Sequence, residues 1–208
     1  RYLEQLGGLI EPEHQSKAEW GKIFHHLMQQ WTLGLPVETI LSQSTEPHAV
    51  DFRASLQTLV KNVPALQLPP NQRQAEHPRT LKLDSVLLTV VYDLLVTLPD
   101  RAEILDWKTY PQPTKKAKII DHWQTKLYLY VLAETSDYPP EHISMTYWFV
   151  QSTKGVKKLT IPYNRVDHQR HHQDLTQLLG QFHQWLTDWQ QGKLPLPHQQ
   201  NCHRFRPK

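Results

Sequence analysis

An aspartate and a lysine two positions apart, Asp106 and Lys108, sit in the apolar run "ILDWKT". On a strand, side chains two apart share a face, so the carboxylate and the ammonium become neighbours while Trp107 points to the other side. One segment earlier, in "VVYDLLVTL", Asp93 is an acid with no polar company. A carboxylate buried there without a partner or a metal would be costly. Tight antiparallel pairing of the two segments would bring Asp93 and Asp106 together. Two converging carboxylates with no arginine nearby in sequence make a hard-oxygen site suited to Mg²⁺ or Mn²⁺. Such an ion holds a phosphodiester oxygen and acidifies a bound water, and an adjacent ammonium offsets the charge that develops on the phosphorus-bound oxygens. Further on, Gln124 and Tyr128 in "QTKLY" stand at i and i+4 and share a helix face. Their amide and phenol are suited to orienting the lysine, the attacking water or a phosphate. Alone, an Asp-x-Lys is usually a solvated ion pair and a Gln-x3-Tyr an accident of a helix surface. Their order along the chain, behind an isolated acid, is what points to phosphodiester hydrolysis.

These residues need particular elements to position them. Trp20, Ile23, Phe24, Leu27, Met28 and Trp31 recur at helical spacing before the stop signal of Gly34 and Pro36. "HAVDFRASLQTLVKNV" reads as a second helix, broken by the three prolines of "PALQLPPNQ". From Arg73 the period changes. "RQAEHPRTLKL", "SVLLTVVYDLLVTL" and "AEILDWKT" read as three successive antiparallel strands, the middle one apolar on both faces as if covered on both sides. "DHWQTKLYLYVLAET" follows as a helix with Asp121 at the cap position. "ISMTYWFVQS" and "VKKLTIPY" form a hairpin about Lys154-Gly155. The last helix, Asn164 to Gln191, lines up Leu175, Leu178, Leu179, Phe182, Trp185 and Trp189. The sum is an α/β (α+β) chain with a mixed central sheet flanked by helices. One domain over 1–208 is expected: a helical part (1–70), a sheet core with the motif helix (71–163), a C-terminal helix (164–192) and a tail (193–208).

Composition sets the outer bounds. The 208 residues, with 38% hydrophobic content and 7 Trp, 8 Tyr and 5 Phe, are enough for a packed core. A net charge of +3 fits an acidic partner without establishing one. With Cys202 as the single cysteine, there is no internal disulfide, and a cytoplasmic, reducing home is expected. No apolar run reaches the ~18–20 residues of a membrane span, and no signal-peptide core is visible. The start at Arg1 rather than Met points to a piece of a longer polypeptide. His168, His171 and His172 read as a solvated helix face, not a zinc site. Lys115, Lys116 and Lys118 lie between the Asp-x-Lys strand and the Gln-x3-Tyr helix, where they can track a nucleic-acid backbone or simply be solvated.

In order along the chain, Gly21-x3-His25 in "GKIFH", Asp93, Asp106-x-Lys108 and Gln124-x3-Tyr128 resemble the PD-(D/E)XK nuclease superfamily, in its branch typified by the RecB nuclease domain. The opening "RYLEQLGGL" is similar to that branch's segment ahead of the histidine helix. The resemblance implies a restriction-endonuclease-like core and DNA hydrolysis in recombination or repair, possible as exonuclease action and beside a helicase or other repair-protein partner. It implies Asp93, Asp106, His25 and the Trp107 carbonyl as ligands of Mg²⁺ or Mn²⁺, Lys108 as the catalytic lysine, and Glu76 as a further acid. Successive helix residues point ~100° apart, so His25 and not His26 would face the ion, with Gly21 one turn earlier leaving room. Two positions depart from the pattern: Val90 stands where a glycine is common, and Phe205 stands where cluster-bearing relatives have a second cysteine after Cys202. No iron–sulfur cluster is therefore expected. A catalytically inactive nucleic-acid-binding or helicase-accessory module of the same fold is the alternative reading. An unrelated α+β protein would instead hold Asp93 and Asp106 far apart.

Overall fold

The computed structural model describes residues 12–42, 46–151 and 155–193. They fall into two compact units, one ending at His168 and the other beginning at Gln169. The segment "RYLEQLGGL", Lys154, Cys202 and Phe205 lie outside the described residues.

In the first unit the helices α1 (Pro12–Thr32), α2 (Val37–Ser42) and α3 (Glu46–Asn62) lead into β1 (Arg73–Leu83), β2 (Val86–Leu98) and β3 (Arg101–Lys108). A short α4 (Ala117–Ile120) and α5 (Trp123–Glu134) precede the hairpin β4 (Ile143–Gln151) and β5 (Gly155–Pro162). Spatial order follows chain order, β1-β2-β3-β4-β5. Every neighbouring pair is antiparallel except β3 and β4, which run parallel because the connection between them carries α5. The mixed sheet is thus the expected one. Val37–Ser42 and Ala117–Ile120 add short helices that the hydrophobic period does not announce.

Each face of the sheet has its own core. Phe24, Leu27 and Met28 of α1, Ile40 and Leu41 of α2, and Phe52, Leu56 and Leu59 of α3 pack with Leu94, Val96, Leu105, Trp107, Trp148 and Val150. On the opposite face Leu129, Val131 and Leu132 of α5 pack with Tyr92, Leu95, Ile104, Met145, Tyr147 and Phe149. Alternation along β3 sends Trp107 to the first face, away from Asp106 and Lys108, as its pleat requires.

The alternation fails at one place. In β2, Val90 and Tyr92 pack on the α5 side, yet Leu94 and Val96, of the same parity, pack on the α1–α3 side. In β1 the same reversal separates Ala75 from Leu81. Between the reversed halves lie Glu76, with φ at +45°, and Asp93 opposite it, where the β1–β2 ladder skips a pair between Ala75↔Leu94 and His77↔Tyr92. Both strands kink at one point. Ladder pairing of β2 with β3 runs from Leu94↔Leu105 to Leu98↔Arg101, so it ends one residue short of an Asp93–Asp106 pair. This geometry corrects the reading of β2 as covered on both sides throughout. Only Leu94 to Val96 are buried consecutively, and from Val86 to Tyr92 the strand alternates, with Leu87 and Val91 exposed.

Further local expectations change. Asp121 closes α4, and the N-cap of α5 is His122, whose Nδ1 accepts the backbone N–H of Gln124 at 3.2 Å. A ring nitrogen here does the work usually given to a short oxygen side chain. His168 is no solvated residue: its Nε2 lies 2.8 Å from Glu134, its Nδ1 3.1 Å from the Tyr163 hydroxyl, and its ring stacks on Tyr130. His171 is buried as well.

Helix α6 (Arg165–Gln190) starts at the end of the first unit and continues into the second. Of its apolar row, Leu175 is buried while Leu178, Phe182, Trp185 and Trp189 are exposed. Among the described residues, no helix is long and apolar enough to cross a membrane.

Candidate active site

The kink places the chemistry. Because β2 and β3 part company after Leu94, the Trp107 amide has no ladder partner on β2. It donates instead to Asp93 Oδ2 at 2.8 Å. The carboxylate thereby stands in for a missing backbone acceptor, which holds it beside the β3 segment that carries Asp106. Its other oxygen, Oδ1, lies 3.2 Å from His25 Nδ1. That nitrogen is buried and is aligned in no hydrogen bond. His26, one residue on, is exposed and lies 3.0 Å from Gln30. Glu76 completes a group: one ligand atom each of His25, Glu76 and Asp93 lie within 4.8 Å of one another. Left-handed backbone is unfavourable for a non-glycine residue, costing on the order of 1–3 kcal/mol. Glu76 adopts it at the point where its carboxylate joins the cluster.

Asp106, 1% exposed, lies one β-strand over. Its Oδ2 is 2.8 Å from Lys108 Nζ, and its Oδ1 accepts from Gln124 Nε2 at 2.8 Å. The same Gln124 amide accepts from Lys108 Nζ through Oε1 at 3.2 Å. One side chain on α5 thus fixes both members of the Asp-x-Lys pair. Beneath the ammonium, the Tyr147 ring lies 5.3 Å away. Burial pushes the Asp106 carboxyl above the usual carboxylate range, and the Asp93 charge adds to it, against the opposing pull of Lys108. For His25 burial works against the charged imidazolium, but Asp93 outweighs it and the net shift is upward. Lys108 follows the same logic: burial lowers it, the Asp106 carboxylate more than restores it, and it stays charged.

The remaining site candidates fall elsewhere. Tyr128 donates its phenol to the Val91 carbonyl at 2.6 Å and meets the Tyr92 ring edge-on at 5.2 Å. In return Tyr92 donates to the Tyr128 carbonyl at 3.1 Å. These contacts tie α5 to β2 two residues before Asp93, and the Tyr128 phenol also interacts with the Gln124 side chain that holds Lys108. Lys115, Lys116 and Lys118 are exposed around α4. A Cβ at Gly21 would meet Thr109 Oγ1 at 3.2 Å, so the glycine serves the close approach of α1 to the end of β3. Two contributors carried no signal in the sequence: Tyr147 reads as an ordinary core strand residue, and His122 as one more histidine.

Comparison with known proteins follows from this geometry. The profile of the PD-(D/E)XK nuclease superfamily matches residues 1–204. The chain belongs to that superfamily. No curated protein matches it. Among solved structures, the "Putative exonuclease" of Eubacterium rectale superposes on this PD-(D/E)XK domain with a TM-score of 0.59 at 9% identity, covering 91% of this chain and 76% of the other. At that identity the likeness is one of fold. In this PD-(D/E)XK core the strand of Asp93, the Asp-x-Lys strand and the Gln-x3-Tyr helix follow one another in the expected order.

The donor set fits a divalent cation. Two carboxylates and one neutral imidazole nitrogen suit Mg²⁺ or Mn²⁺. The buried, unaligned His25 Nδ1 beside Asp93 Oδ1 is what two ligands aimed at a common point look like before either is satisfied.

Proposed function

We propose that this chain is a Mg²⁺- or Mn²⁺-dependent nuclease that hydrolyses phosphodiester bonds in DNA. The observation that carries the reading is the convergence of His25, Glu76 and Asp93 beside a buried Asp106–Lys108 pair held by one glutamine. His25, Asp93 and Asp106 would hold the ion, as would Glu76, with the Trp107 carbonyl as a main-chain donor. The cation would supply a Lewis acid for the scissile phosphate and a more acidic water. Lys108 keeps its proton in this setting, so its part is to offset charge on the non-bridging oxygens and to orient the nucleophile. Gln124 offers the ammonium a second acceptor beside Asp106 and so fixes its direction. Tyr128 positions α5, and through it Gln124.

Cleavage of single-stranded and duplex DNA, with free and with blocked ends, tests the reading. Activity is expected with Mg²⁺ or Mn²⁺ and not in chelator. Asp106→Asn is expected to lose cleavage together with metal affinity. Lys108→Ala is expected to bind metal and to lose turnover by ~10²-fold or more, in line with single electrostatic groups elsewhere. Wild-type protein that binds DNA and cuts none of these substrates would favour an inactive binding module, and undiminished cutting by Asp106→Asn would move the site elsewhere.

A further inference from the structure

Among the described residues, most aromatic rings of the first unit are buried or half-buried, but two are exposed. Tyr110 is 48% exposed and Trp123 is 37% exposed. Each sits within two residues of a member of the Asp106–Lys108–Gln124 set: Tyr110 two beyond Lys108, Trp123 immediately before Gln124. The Tyr110 ring meets Phe149 edge-on at 6.0 Å, so it is propped at one edge while nearly half of its surface faces solvent. Phe149 is the ladder partner of Lys108 on β4, so the ring lies beside the lysine in space and not merely near it in sequence. Trp123 carries the Lys126 ammonium 5.4 Å from its ring centre. Between the two rings in the chain run Lys115, Lys116 and Lys118, all exposed.

We infer that Tyr110 and Trp123 are stacking platforms for unpaired bases, and that the substrate enters the site as a single strand or a frayed end. The inference rests on the nuclease reading and narrows its substrate. In an intact duplex each base face is covered by its neighbours, so an exposed aromatic ring gains contact only from a nucleotide that has left the stack. Alternating rings and cations are what a single-strand track needs: rings for any base, ammonium groups for the backbone between them. A surface that reads duplex DNA would be expected to spend these positions on phosphate contacts alone.

Binding and cleavage separate this inference from the reading beneath it. Anisotropy of a labelled single-stranded 12-mer and of a blunt duplex of the same sequence would be measured with Ca²⁺ in place of Mg²⁺, alongside initial rates with Mg²⁺ or Mn²⁺. Tyr110→Ala and Trp123→Ala are each expected to weaken single-strand binding and raise KM by ~10-fold, the size of one base–ring stack, with kcat changed less than about twofold. Tyr110→Phe should restore binding and Tyr110→Leu, which keeps an apolar prop against Phe149, should not. Duplex binding should change little. Equal losses on single strand and duplex, rescue by Leu, or unchanged KM would overturn the inference. If wild-type protein cuts nothing, the nuclease reading fails, and the anisotropy measurement still decides whether the rings bind an unpaired strand.

Discussion

With 1% of its surface exposed and Asp93 nearby, Asp106 holds a negative charge where water cannot relieve it. Lys108 and Gln124 each take one of its oxygens, but burial still dominates and the carboxyl is raised. The folded chain therefore binds this proton more tightly than the unfolded chain. Stability from the group is full below the ordinary carboxylate range near ~4 and is lost as pH rises through the raised folded value. Asn at the position cannot titrate. The loss of a partner for Lys108 adds a penalty, but that penalty is constant here because the lysine stays charged across the window. In chelator, the melting temperature of Asp106→Asn relative to wild type is thus expected to climb as pH goes from ~4 towards neutrality. Parallel curves would mean that Asp106 carries no such strain. A cation bound beside this carboxylate, as proposed, would relieve that strain, the usual exchange of stability for function.

Elements explain how much of this was legible. Strand and helix order could be read from period because β3, β4 and α1 each keep one hydrophobic rhythm. Asp106, Lys108 and Gln124 were legible for the same reason, since regular pleat and helix spacing fix their directions. The kink was not. Leu94, Leu95 and Val96 are consecutive buried residues because the sheet is covered on both faces there, and nothing in their types marks where β2 changes faces at Asp93. The positive φ of Glu76 has no local signature either, as no glycine marks it. Gly21 was visible, but the contact that calls for a glycine lies on another element. Replacing the glycine tests that contact. Gly→Ala in a helix interior gains ~1 kcal/mol of propensity, while a Cβ 3.2 Å from Thr109 Oγ1 forces a few tenths of an ångström of retreat at the residue after Lys108. Gly21→Ala is expected to melt within a few degrees of wild type and to lose turnover. Adding Thr109→Ala, which removes the opposing oxygen, should restore the rate. A fully active Gly21→Ala would show that the contact is slack.

At the scale of the first unit, the three clustered donors come from three elements: His25 from α1, Glu76 from β1 and Asp93 from β2. α1 belongs to the core on one face of the sheet, and the kinked ribbon is where β1 and β2 pass from that core to the other. An ion bound here would link these elements, which unfolding separates, and the unfolded chain has no comparable site. Binding to the folded state alone stabilises by about 2.7 kcal/mol at a ligand concentration one hundred times Kd. For a chain of this size each kcal/mol moves the melting temperature by about 2–4 °C. Saturating Mn²⁺ is therefore expected to raise the melting temperature by ~5–10 °C over chelator. His25→Ala, Glu76→Gln and Asp93→Asn should each shrink the increment, whereas His26→Ala, on the exposed side of α1, should keep it. The Glu76 variant is the most informative, since its backbone is left-handed where the β1–β2 ladder skips a pair. An increment that survives Glu76→Gln intact would remove that acid from the ligand set and leave its left-handed conformation as a feature of the kink alone.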